Sequence, residues 1–166
     1  MKKRWIALYV ENQIGVLAKI AGLFSGKSYN LESLTVGTTE DETISRMTIV
    51  VNSNDEIFEQ IKKQLNRLVE VIRVTDYTMM NVYRKELMFV KVKKCSREDR
   101  SELFHIAEIF HVSVVDYGNN SILLESVQTE ERNEELLRLL QEAFTNLEVV
   151  RGGSVAIESI HKNRCD

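Results

Sequence analysis

The sequence predicts an α+β protein made of two successive copies of one strand–helix–strand–strand–helix–strand order. Three observations predict it. An alternating apolar run, Trp5 to Val10, gives way at Val16 to apolar residues at helical spacing. Two β-branched runs, Leu31 to Thr38 and Ile44 to Val51, precede a second helical pattern and a closing strand. The same order then returns after a short connecting stretch, which places one domain over residues 1–77, a linker over 78–84 and a second domain over 85–166.

In the first copy, Ile6, Leu8 and Val10 share one face of the opening strand, and Trp5, Ala7 and Tyr9 share the other. Both faces are largely apolar, which predicts cover on both sides, with a partner chain a candidate for one of them. Val16, Ile20, Leu23 and Phe24, with Leu17 beside them, form one short helix that Gly26-Lys27 stops. Thr39 to Thr43 makes the hairpin loop between the two β-branched strands. Ser53-Asn54-Asp55-Glu56 is a capping-box pattern, after which Ile57, Ile61, Leu65 and Leu68 follow one helical face. Val69 to Asp76 reads as strand.

In the second copy, Glu86 to Lys93 is a strand, and Ser96 opens a helix carrying Leu103, Ile106, Ala107 and Phe110. Val112 to Asp116 and Ser121 to Val127 are strands joined by Tyr117-Gly118-Asn119-Asn120. Thr129 caps a helix with Leu136, Leu139, Leu140 and Ala143, and Glu148 to Ile160 closes the order. The halves share pattern rather than residues. The expected architecture is therefore two ferredoxin-like βαββαβ domains, each an antiparallel sheet with its helices on one face.

The bulk composition excludes several classes. Two domains of this size stand near the lower limit for a self-sufficient core, so mutual support or a second chain is expected. No apolar run approaches the roughly 20 residues of a membrane span, and the start M-K-K-R-W-I-A-L-Y-V turns polar too soon for a signal peptide; a cytoplasmic protein is expected. Cys95 and Cys165 are far apart and lack a C-x-x-C, which argues against a disulfide framework or a zinc site and for free thiols. With 22 basic and 25 acidic side chains, no positive field draws the chain to nucleic acid, and Lys2-Lys3-Arg4 reads as a solvated strand entry. The absence of proline predicts closely packed parts rather than a stiff linker.

Gly22-Leu-Phe-Ser-Gly26-Lys27-Ser28 imitates a phosphate-binding loop, but it has three residues between its glycines where that loop needs four, and it lies at a helix's end. The partial negative charge there repels phosphate. His105, His111 and His161 have no mutual ligand spacing. The acidic groups Glu40-Asp41-Glu42 and Glu130-Glu131 suit a solvated loop and a helix start, and no nucleophile context marks any serine. No catalytic constellation emerges.

Asn12 to Gly15 and Asn30 are different. A strand hands over to a helix at Gly15, so the first-turn N–H groups of Gly15, Val16 and Leu17 are open to a carboxylate, while the Asn12 and Asn30 amides can accept from an ammonium. That is the chemistry of an amino-acid ligand. The structural alternative is equally concrete: Asn12 caps the helix, Gly15 only turns the chain, and Asn30 tolerates a left-handed turn before its strand.

Further residues carry a resemblance. N-x-x-G-V-L with G-L-F, then Y-N-L-E-S-L-T-V, S-R-M-T-I-V and Q-L-N-R-L-V-E-V-I-R-V occupy Asn12 to Val74 in order. Together they resemble the small, regulatory subunit of acetolactate synthase. The resemblance implies that the first domain is an ACT domain, which pairs between chains to form a homodimer and binds an amino acid at the pairing interface. It implies effector-site positions Asn12, Gly15 and Asn30, with Val16, Leu17 and Leu31 beside them. It further implies a non-catalytic, cofactor-free chain that activates a catalytic subunit and confers feedback inhibition by valine or another branched-chain amino acid. Thiamine diphosphate, Mg and FAD are expected on that catalytic partner. Ile14 departs from the small, polar or proline residue usual in the family. The glutamate-alanine-arginine-threonine-glycine run common near the family's C-terminus is here Glu148-Val149-Val150-Arg151-Gly152-Gly153. Lys93-Lys94-Cys95-Ser96 replaces any Asn-x-x-Gly in the second half, where no effector site is expected. The rival readings are a free-standing ACT-domain sensor acting on transcription or another enzyme, and an enzyme in its own right.

Overall fold

The computed structural model describes residues 1–26 and 29–160. Its elements run β1 (Lys2–Glu11), α1 (Val16–Gly26), β2 (Leu31–Thr38), β3 (Ile44–Ser53), α2 (Asp55–Leu65), β4 (Val71–Asp76), β5 (Val82–Lys93), α3 (Arg97–Phe110), β6 (Ser113–Tyr117), β7 (Ser121–Gln128), α4 (Glu130–Ala143) and β8 (Leu147–Glu158). They form two four-stranded sheets, ordered β2-β3-β1-β4 and β6-β7-β5-β8, in the ferredoxin-like α+β fold that the sequence predicts. The chain divides into two compact units, Met1–Tyr83 with the stretch from Val155, and Arg84–Ser154. Among the described residues no helix is long and apolar enough to cross a membrane.

In the first unit the alternation of β1 and β3 sends Ile6, Leu8, Val10, Met47, Ile49 and Val51 to one side of the sheet. There they meet Val16, Ile20 and Phe24 of α1 and Phe58, Ile61 and Leu65 of α2. Burial of each such side chain is worth about 1.5–3 kcal/mol, so this layer is the main force holding both helices to the sheet. One detail of α2 differs from the sequence pattern. Asn54, not Ser53, is the N-cap, accepting from the Ile57 N–H at 2.8 Å. Ser53 is still in the ladder opposite Lys2, so its backbone is committed to the strand one residue longer than the pattern suggests.

The other side of β1 is covered in part by the same chain. Ala7, Tyr77 and Ala156 are buried together, with Trp5 and Val82 packed against them. Arg46 binds this layer, donating from Nη2 to the Tyr77 hydroxyl at 3.0 Å and to the Ala156 carbonyl, with its guanidinium 5.6 Å from the Tyr9 ring centroid.

The second unit repeats the layering with Met88, Val90, Val92, Ile122 and Leu124 under Leu103, Ile106, Leu136 and Leu140. Leu139 falls off the α4 stripe and is 38% exposed. Ser96 and Asp99 form the reciprocal capping box of α3, and Thr129 caps α4. A buried polar group joins four elements. Asn133 accepts from the Ser126 hydroxyl at 2.6 Å and donates to Glu86 at 3.0 Å, while Arg151 forks onto Glu86 at 2.9 and 2.8 Å. Cys95 is a free, buried thiol whose pKa is pushed up, mainly by burial and then by Asp99.

Candidate functional site around the β1–α1 turn

Pairing of β1 with β3 ends at Glu11 opposite Ile44, and the chain leaves the sheet through Asn12. The Asn12 N–H donates to the Thr43 carbonyl at 2.7 Å, its Nδ2 donates to the Glu42 carbonyl at 2.8 Å, and its Oδ1 accepts from the Ser45 hydroxyl at 3.0 Å. Asn12 therefore does not cap α1; it fastens the β2–β3 hairpin to the end of β1. One lone pair of Oδ1 is taken by Ser45, and a second remains for an ammonium.

Gly15 has φ +90°, a backbone setting that favours glycine, and a Cβ built there would meet nothing within 4 Å. The helical ladder opens with Lys19 N–H to the Gly15 carbonyl at 3.0 Å, while Val16 N–H reaches the Gln13 carbonyl at 3.3 Å. The N–H groups of Leu17 and Ala18 are the ladder's orphans. Among the described residues, the other three helices begin with a capping side chain and two acidic residues in the first turn. α1 has glycine before it and no acidic residue in its first turn, so its own first turn does not compensate its positive end. Of the predicted neighbours, Val16 is part of the core and Leu17 is 44% exposed.

The other predicted residues are not nearby. Leu31 pairs with Val51, whereas Thr38 pairs with Ser45, so β2 starts at the opposite end of the sheet from the β1–α1 turn. Six rungs at about 3.4 Å separate Asn30 and Leu31 from that turn by roughly 20 Å. Asn30 is exposed, and it precedes an edge strand. One chain thus brings Asn12, Gly15, Val16 and Leu17 together and holds Asn30 and Leu31 apart.

Three contacts at this turn were not visible in the sequence pattern. Ser45 and the Glu42 carbonyl hold Asn12, and the Lys19–Glu70 ion pair ties α1 to the stretch before β4, holding the Glu70 carboxyl below the usual range. The phosphate-loop imitation lies at the C-terminal end of α1, as its spacing suggests, with Lys27 and Ser28 outside the described residues. His111 serves as the left-handed C-cap of α3 with φ 54°, while His161 and Cys165 lie outside the described residues. Among the described residues no group of three or more His, Cys, Asp or Glu could hold a metal ion.

The glycine turn and the uncapped helix lie within a βαββαβ unit, and residues 6–73 match the family of the AHAS small subunit-like ACT domain. Residues 85–160 match the family described as small subunit of acetolactate synthase. The chain belongs to the acetolactate synthase small-subunit family. It is 40% identical over 157 residues to the acetolactate synthase small subunit of Aquifex aeolicus, covering 95% of this chain and 81% of that one. It is 34% identical over 161 residues to the one from Haemophilus influenzae, covering 97% and 98%. The crystal structure of the acetolactate synthase small subunit from Thermotoga maritima superimposes with a TM-score of 0.87 at 31% identity, covering 97% of this chain and 99% of that one.

Proposed function

We propose that the chain is the regulatory subunit of an acetolactate synthase, activating a catalytic subunit and conferring feedback inhibition by valine or another branched-chain amino acid. The observation that carries this reading is the start of α1, where two N–H groups lack a helical partner, the first turn holds no acidic residue, and the space beside Gly15 is open. An amino-acid carboxylate satisfies both. Its ammonium has the second lone pair of Asn12.

The separation of Asn30 and Leu31 supports a site shared by two copies. β2 is an edge strand. Two β2 edges paired antiparallel about a two-fold axis would set Leu31 of the partner subunit against the Thr38 end of the first chain. That is the end carrying Asn12 and Gly15, so the gap of one sheet length closes. An effector held across such a pair shifts activity through its different affinity for two dimer geometries, one of them less favourable to the catalytic subunit. Condensation chemistry, with its thiamine diphosphate, Mg and FAD, is assigned to that partner.

The test is a pyruvate-condensation assay of the catalytic subunit with and without this chain, titrated with valine, leucine and isoleucine. Activity is expected to rise on adding the chain and to fall with one of the three. Absence of stimulation overturns the regulatory reading. Stimulation without inhibition by any of the three removes the effector part alone.

A further inference from the structure

Three turns meet at the end of the first unit that carries Gly15. The Glu11 N–H donates to the Glu70 carbonyl at 2.9 Å, and the Asn12 N–H to the Thr43 carbonyl at 2.7 Å, so the turn before β4 and the β2–β3 hairpin flank the β1–α1 turn. Large aliphatic side chains stand in solvent here: Ile14 is 107% exposed, Val69 90% and Ile72 55%. Ile72 is out because the β1–β4 register shifts. Tyr9 faces Arg73 and Val10 faces Val71, which leaves Ile72 without a partner in the ladder. Aliphatic groups gathered on one end of a small unit mark an interaction surface.

The charge around them states the chemistry of the occupant. Glu11, Glu40, Asp41, Glu42 and Glu70 stand at this end, against Lys19, Arg67 and Arg73, with Lys19 bound to Glu70 and Arg73 over the Tyr9 ring. We propose that this acidic-rimmed apolar end is where the catalytic subunit docks, through a surface with an apolar centre and a rim of lysine and arginine. The proposal rests on the regulatory reading and adds the surface that reading needs. Ile72 and Val69 lie on the β4 side of the sheet, across its width from the β2 edge, so the apolar part of this surface is clear of a second copy paired along β2. Asn12 belongs to both regions, since it fastens the acidic hairpin to the turn that opens α1. Effector and docking therefore share one element.

The full chain and the purified catalytic subunit are mixed at low and at physiological ionic strength, and their Kd is measured by sedimentation. Wild-type affinity is expected to fall as salt rises. The double variant Val69→Ser, Ile72→Ser is expected to raise Kd about ten-fold or more. The variant Glu40→Lys is expected to raise Kd and flatten its salt dependence. Both variants should leave the calorimetric Kd for valine on the chain alone unchanged, because their side chains lie outside the Asn12 to Leu17 turn assigned to the effector. Solvent exposure at all three positions protects folding, which circular dichroism checks. A Kd for the Val69/Ile72 variant equal to wild type overturns the docking surface. A wild-type chain that does not bind the catalytic subunit overturns the regulatory reading beneath it.

Discussion

Gly15 separates two kinds of cost that a single substitution usually mixes. Its φ of +90° taxes any side chain, yet the space beyond it is open. Gly15→Ala should therefore cost about 1–2 kcal/mol by urea denaturation, from backbone conformation alone, and Gly15→Asn less, since asparagine tolerates the left-handed region. Gly15→Asp should add an electrostatic effect: a carboxylate beside the helix start competes with the ligand's own. Calorimetry of valine binding is expected to show Gly15→Asp losing far more affinity than Gly15→Asn; equal losses would remove the carboxylate from the helix start. The hairpin beside it carries a pH marker. Asp41 accepts from the Thr43 hydroxyl at 2.6 Å and from its N–H at 2.9 Å, and these bonds hold its carboxyl below the usual range. A depressed pKa contributes order that is fully present above the unfolded value and is lost as pH falls through the folded one. Amide protection at Thr43 should stay level from neutral pH to about pH 4 and drop below it, and Asp41→Asn should abolish that drop.

Among the elements, α2 shows how strand pairing decides a helix boundary. Ser53 and Asn54 both suit an N-cap, and the sequence pattern favours Ser53 with Glu56 three residues on. Register decides otherwise, because Ser53 lies opposite Lys2. Asn54→Ala is expected to lower stability by about 1 kcal/mol in urea denaturation, whereas Ser53→Ala should be near neutral or mildly stabilising. The buried Ser53 hydroxyl has no hydrogen-bond partner to lose. The same physics sets what sequence could and could not reveal. Periodicity fixed the core stripes of α1 and α2 and the glycine turn, since these depend on neighbours three or four residues away. Strand ends did not yield to it: β5 begins at Val82 and β4 at Val71, where pairing partners start and stop. Nor did the duty of Asn12, whose side-chain partners are a backbone carbonyl at Glu42 and a hydroxyl at Ser45, distant in sequence and unremarkable in type.

For the whole molecule, the stretch from Val155 matters more than its position in the sequence suggests. It groups with the first unit, where Ala156 is buried against Ala7 and Tyr77 and its carbonyl accepts from Arg46. A first unit complete at β4 would leave that side of β1 bare, with Trp5, Ala7 and Tyr77 facing water and the Arg46 guanidinium short of an acceptor. Trp5 is the chain's single tryptophan, so its fluorescence reports on this layer alone. A chain ending at Ser154 should show Trp5 emission shifted to the red and a urea transition lowered by about 1–3 kcal/mol, from lost apolar burial and a lost hydrogen bond to a charged donor. The second unit provides the control. Its core and the Glu86–Arg151–Asn133 group lie wholly within Arg84–Ser154, so amide protection in β5 and β7 is expected to persist in the truncated chain. An unchanged Trp5 transition would show that the first unit stands without the returning stretch, and a loss of protection in β7 equal to that in β1 would show that the two units unfold as one.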